Sequence, residues 1–198
     1  MNAVLWKLRP HVPVTVLVSI YNALILPLLS YCTIIWGKSA GSSSLCNLQK
    51  NSMRALEGIK DKAHSDPIYS KHKVLKVEDI CRQQLHMEGF KALKGQLPGD
   101  LSNLLRKPIT LHSYNTRGAS TTLVSDGKNK FSVLNQVAME WNSFSISFKN
   151  LDLTMSSRRW GSKKDLLKKY EGFKCKNDHG YTCNRIRELQ ASMSIVLS

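Results

Sequence analysis

Acidic residues are scarce in this chain: 14 Asp and Glu stand against 29 Lys and Arg, for a net charge of +15. The few acids are scattered, and no two aspartates are adjacent. Two-metal phosphoryl chemistry needs carboxylates gathered around ions about 3.5–4 Å apart, and the sequence offers no such pair. Glycine-rich phosphate loops are missing, as is the Gly-x-Ser-x-Gly turn of the α/β-hydrolases. Gly58 and Gly89 read instead as a helix stop and a packing position. The five cysteines are odd in number and irregular in spacing, so a disulfide framework is not expected and reduced intracellular thiols are. Cys81 with His86, or Cys46 alone, lacks the partner pattern of a thiol nucleophile. The first six residues lack the pattern of a secretory leader. Compartment is otherwise open between nucleus and cytoplasm.

Charge is also absent from His11 to Gly37. Within that span Val12–Trp36 reads VPVTVLVSIYNALILPLLSYCTIIW, 25 residues long and flanked by Arg9 and Lys38. The length suits a membrane span. Pro27 near its middle, the polar Ser19, Asn22, Ser30 and Thr33, and the internal Tyr21 and Tyr31 argue against one. The favoured expectation is a pair of buried helices, roughly 13–26 and 28–36, meeting at a kink. A membrane-associated protein anchored by residues 12–36 stays open as an alternative.

What is present is mostly helical periodicity. Gly41-Ser42-Ser43-Ser44 is a break, with Ser44 a cap for a helix carrying Leu45, Leu48, Ser52 and Leu56 on one face. Gly58 ends it, and Pro67 opens a short turn of helix. Val77 to Lys94 is the next helix, with Val77, Ile80, Cys81, Leu85 and Ala92 as its apolar face. Glu78 and Asp79 in its first turn and Lys91 and Lys94 in its last suit the helix dipole. Gly95 stops it. Pro98 starts another, with Leu101, Leu104 and Leu105 inward. Pro108–Lys130 is irregular. Phe131, Leu134, Ala138 and Trp141 form a helical stripe. Arg158–Lys176 holds eight Lys or Arg against two acids, and a last helix is expected near 184–196. The fold class is therefore mostly α. It divides into a helical domain at 1–107, an irregular connector plus helix at 108–150, and a basic helical tail at 151–198. No repeat is present.

Several blocks, taken in order, carry a resemblance. They are Tyr21-Asn22-Ala23-Leu24-Ile25-Leu26-Pro27 through Ser30-Tyr31-Cys32 and Trp36-Gly37; Leu45-Cys46-Asn47-Leu48-Gln49 through Arg54-Ala55-Leu56, with Asn51 and Ser52 where Gln is more usual; Leu75-Lys76-Val77-Glu78-Asp79-Ile80; Gly95-Gln96-Leu97-Pro98; His112-Ser113-Tyr114-Asn115-Thr116-Arg117; Lys130-Phe131-Ser132-Val133; Trp141-Asn142-Ser143; and Leu166-Leu167-Lys168-Lys169-Tyr170. Over residues 13–172 this order and spacing resemble the thumb and downstream part of jockey-like LINE (non-LTR retrotransposon) reverse transcriptases. Trp160 in place of a Phe, and Phe144-Ser145 where the family has Leu-Pro, are the departures of a decayed copy. The resemblance implies a small helical thumb-like bundle without the palm, whose metal-binding aspartates would precede residue 1. It therefore implies no polymerase activity, no cofactor, no metal and no small-molecule substrate.

A thumb of that family grips an RNA–DNA or RNA duplex through its phosphates, an attraction that is sequence-independent and weakens with salt. On that resemblance Lys50, Arg54, Arg158, Arg159, Lys163, Lys164, Lys168 and Lys169 are phosphate-contact candidates, and Tyr114 and Arg117 a stacking or clamping pair. Each basic residue reads equally as a solvated surface charge, and the hexapeptide as a loop-ordering element. Cys175, His179 and Cys183 bring three zinc-type ligands close together, but structural zinc takes four with closer pairs, so no metal is assigned. A decayed reading frame with no selected function is the other alternative.

Overall fold

The computed structural model describes residues 2–59, 65–106, 121–125, 132–144, 149 and 154–171. Helices account for 74% of these, so the mostly α expectation holds. The elements are α1 (Asn2–Leu8), α2 (Val14–Ile20), a π-helical turn (Tyr21–Ile25), α3 (Leu26–Ser30), α4 (Thr33–Trp36), α5 (Ser42–Glu57), α6 (Asp66–Lys71), α7 (Val77–Leu93), α8 (Gly99–Leu104), β1 (Leu105–Arg106), β2 (Val124–Ser125), α9 (Val133–Asn142) and α10 (Met155–Glu171). β1 and β2 pair antiparallel, Leu105 opposite Ser125. The chain divides into two units, Met1–Ile80 with Lys163–Ser198, and Cys81–Ser162.

In the first unit the uncharged segment departs from the expected kink at Pro27. A proline ring clashes with the carbonyl four residues back and donates no hydrogen bond. The chain meets this by widening one turn: the Leu26 N–H bonds to Tyr21 O, an i→i+5 step, and the helix runs on to Ser30. The break comes at Tyr31–Cys32, where Cys32 takes φ 49°. Side chains fasten that break. Thr33 Oγ1 donates to Leu29 O at 2.7 Å, and the Trp36 indole N–H donates to Tyr31 O at 2.7 Å. The segment is uncharged all round, but only one face is covered. Leu17, Tyr21, Ile25 and Leu29 recur every fourth residue into the core, while Leu24, Leu28, Tyr31 and Ile35 lie outside. Among the described residues no helix is long and apolar enough to cross a membrane.

The core of this unit joins that row to Leu5 of α1, Met53 and Leu56 of α5, Ile68 and Tyr69 of α6, Val77 and Ile80 of α7, and Leu166 and Tyr170 of α10. Burying each such side chain contributes about 1.5–3 kcal/mol. The buried face of α5 is rotated from the expected one. Leu48 is exposed, and Gln49, Ser52, Met53 and Leu56 point inward. The helix begins at Ser42, so Ser44 lies in its first turn rather than capping it. Gly58 at φ 70° and Gly95 at φ 68° end α5 and α7 in the left-handed conformation that glycine adopts at low cost.

In the second unit α7 is buried on more than its apolar stripe: His86, Met87, Gly89 and Phe90 are covered as well as Cys81 and Leu85. Trp141 of α9 is fully buried, and its indole N–H donates to Thr121 O at 2.7 Å. His86 stacks between Trp141 (5.2 Å between ring centres) and Phe144 (4.2 Å). Asn142 brackets Leu123, accepting from its N–H at 3.0 Å and donating to its carbonyl at 2.9 Å. Of the leucines expected inward on α8, Leu101 and Leu104 are exposed and only Leu105, at the start of β1, is buried.

Two buried titratable groups set the acid limit of stability. Burial, reinforced by the Arg158 guanidinium, pushes the His86 pKa down to about 4. A histidine favoured neutral in the fold stabilises fully above its unfolded value near 6.5, and that contribution drains away as pH falls toward 4. The shift corresponds to about 3 kcal/mol at most. Burial alone would raise the Glu57 carboxyl. His72 Nε2 at 2.6 Å and Lys71 Nζ at 2.9 Å outweigh it and hold the pKa at about 2. Its contribution is complete above about pH 4.5 and lost as pH falls toward 2. The expected result is an acid titration in which probes of the second unit, such as Trp141, move at higher pH than probes around Glu57. His86→Phe should flatten the limb between pH 6.5 and 4, as read by denaturant midpoints at each pH.

Candidate nucleic-acid interface

Among the described acids of the first unit, Glu57 and Asp79 are buried, Asp66 is half-buried, and Glu78 and Asp165 are exposed. Glu57 is held by Lys71 and His72. Asp66 binds Lys76 at 2.8 Å. Asp79 is buried and accepts a hydrogen bond from the Tyr170 hydroxyl, which in turn accepts from the Lys76 backbone N–H at 3.2 Å. Burial, then the Asp79 bond, drive the Tyr170 pKa upward, so the phenol stays a donor. The Lys76 ammonium lies 4.9 Å over the Tyr170 ring. Among the described residues of the unit the exposed charge is predominantly positive: Lys7, Lys38, Lys73, Lys164, Lys168 and Lys169 stand against Glu78 and Asp165.

On α10, Leu166 and Tyr170 turn into the core, which leaves Lys164, Lys168 and Lys169 exposed on the other side. Lys163 is half-buried, and burial lowers its ammonium pKa. Lys168 Nζ is 3.2 Å from Asp165, a contact three residues along the helix that costs the surface little of its charge. On α5, Lys50 and Arg54 are four residues apart and half-buried. Arg54 donates to Asn51 Oδ1 at 3.1 Å. Lys50 also lines an open groove of about 240 Å³ with Cys46, Gln49, Asp66, Tyr69, Lys76 and Glu78. Burial, then the negative charge of Glu78, raise the Cys46 pKa and keep it a thiol.

In the second unit the two arginines of the basic run part company. Arg159 is exposed, and its carbonyl accepts from Gln83 Nε2 at 2.8 Å. Arg158, counted among the phosphate candidates, is fully buried, with its guanidinium 4.4 Å over Phe90 and 5.9 Å from the Trp141 ring. It packs as a planar cation on aromatic faces and does not share the outer surface of Arg159. Tyr114 and Arg117 lie outside the described residues, as do Cys175, His179 and Cys183. Among the described residues no group of three His, Cys, Asp or Glu is placed to hold a metal ion.

Sequence reasoning left out Lys7, Lys38, Lys73 and Trp160, all exposed. Single lysines, Lys7 in α1 and Lys38 and Lys73 in turns, carry no pattern to find them by. Trp160, 67% exposed next to Arg159, was signalled only as a departure from a phenylalanine. No known protein family, curated protein or solved structure matches this chain.

Proposed function

We propose that this chain is a non-catalytic binder of nucleic-acid backbone, the remnant of the thumb-side part of a non-LTR retrotransposon reverse transcriptase. The origin rests on the ordered sequence blocks. The binding reading rests on one observation above the rest: the first unit buries Glu57 and Asp79 and turns Lys164, Lys168 and Lys169 outward along one helix, beside the exposed acid Asp165. A row of ammonium groups on a rigid helix contacts phosphates without reading bases. Neutralising Z phosphates makes log affinity fall with log salt at a slope of about −0.7Z to −0.9Z.

Binding of the purified protein to a labelled RNA–DNA hybrid across a salt series tests this. The expected result is a slope of several phosphates, little changed by sequence. Replacing Lys164, Lys168 and Lys169 together by Gln should reduce the slope by about 2–3 with the melting midpoint retained. A folded sample that binds no hybrid at low salt overturns the reading. So does a triple variant that binds with an unchanged slope.

A further inference from the structure

Among the described residues, the outer face of the uncharged segment is a feature that nucleic-acid binding leaves unexplained. Leu24, Leu28, Tyr31 and Ile35 leave 56, 61, 75 and 69% of their surface in water. Leu24 and Leu28 are successive turns of one helix. Tyr31 follows at its end, and Ile35 sits on α4, held close by the Thr33–Leu29 and Trp36–Tyr31 hydrogen bonds. Val16, 43% exposed, extends the row backward. Together these side chains leave several hundred Å² of apolar surface in water, the upper end of what a monomer leaves in one patch.

We infer that this face is an isologous interface that pairs two copies of the chain. Charge selects the occupant. Across a two-fold axis each residue near the axis meets its own copy, so any Lys or Arg in the patch would face a like charge. In a chain of net charge +15 a neutral surface is where two copies repel each other least, and His11 to Gly37 carry no Lys, Arg, Asp or Glu. The exposed neighbours of the row are Thr15, Ser19, Asn22, Ala23, Pro27 and Cys32, a neutral rim able to exchange hydrogen bonds. An anionic membrane would select the opposite pattern, lysines interleaved with apolar residues, and the stripe has none. Standard interfaces bury roughly 800 Å² per partner; the exposed row and its rim would form the centre of such a contact.

The test is sedimentation equilibrium on nuclease-treated protein at high salt, so that nucleic acid cannot bridge two copies. Cys32 alkylation is mapped by peptide mass spectrometry on the same samples. The expected result is a species of twice 22.3 kDa that forms with rising concentration while Cys32 loses reactivity. Leu28→Lys, solvent-exposed and so tolerated by the fold, should raise the dissociation constant about a hundredfold, because each substitution appears twice in the interface. A monomer at all concentrations with Cys32 fully reactive overturns the inference. So does a dimer that persists unchanged in Leu28→Lys. Flotation of the wild type with neutral lipid vesicles in place of dimerisation also overturns it and assigns the face to lipid. None of these readouts depends on binding to an RNA–DNA hybrid.

Discussion

Gly89→Ala is expected to destabilise the protein by about 2–3 kcal/mol, although the same change in an unobstructed helix stabilises by up to about 1 kcal/mol. A Cβ at residue 89 would stand 2.9 Å from Trp141 Cβ, 3.0 Å from Cε3 and 3.1 Å from Cγ. The first of these is the root of the side chain and not a flexible end. Trp141 has little freedom to retreat. Its indole N–H is tied to Thr121 O, His86 stacks on it, and the Arg158 guanidinium and the Phe90 ring lie against it. Either α7 or α9 must shift, and close-packed interiors transmit such shifts at a cost. Gly161 on α10 is the matched control, since a Cβ there meets nothing within 4 Å. Gly161→Ala should therefore stabilise by about 0.5–1 kcal/mol. Urea denaturation followed by tryptophan fluorescence reads both. If the two substitutions move the midpoint in the same direction, Gly89 does not face Trp141 as described.

The contrast between these glycines shows what local sequence signals carry. Gly58, Gly95 and Pro67 were legible because each acts on its own backbone, and the structure uses them where periodicity expected. Gly89 was legible as a packing position, but not the tryptophan it serves, 52 residues away. Pro27 was legible as an obstacle to a regular helix, but not the widened turn that precedes it, which leaves no mark in composition. The inward face of α5 was misassigned to Leu48 because hydropathy ranks leucine over glutamine. Tertiary partners reversed that order. Arg158 was grouped with Arg159 by adjacency, yet neighbours in a helix point about 100° apart, and only the aromatic pocket shows which one is buried. Asp79 was read as a dipole residue at the start of α7. Its bond to Tyr170, 91 residues on, is invisible without the fold. Of the candidate site, the basic character of α10 was legible. Which acids are buried, Glu57 and Asp79, and which stay outside, Glu78 and Asp165, was not.

Gln49 is a further buried polar group whose partners the fold supplies. Its side chain is buried, 1% exposed, and makes three hydrogen bonds. Nε2 donates to the Tyr21 hydroxyl at 2.9 Å and to Leu75 O at 2.8 Å, while Oε1 accepts from the Val77 N–H at 2.9 Å. Val77 is the first residue of α7, and the first N–H groups of a helix have no intrahelical acceptor. Gln49 thus joins the π-helical turn, the turn before α7 and the first N–H of α7 itself. A leucine of similar size would leave the Val77 donor and the Leu75 acceptor buried without this partner. Each such loss costs about 1–3 kcal/mol, so Gln49→Leu is expected to destabilise by about 3–4 kcal/mol. Tyr21→Phe removes only one of the three bonds and should cost about 1 kcal/mol. The double variant should fall short of the sum, because the Tyr21 bond is already gone once Gln49 is. Thermal and urea unfolding of the four proteins of the cycle check this. A Gln49→Leu protein as stable as the wild type would mean that α5 does not hold the start of α7, and that hydropathy placed Leu48 correctly after all.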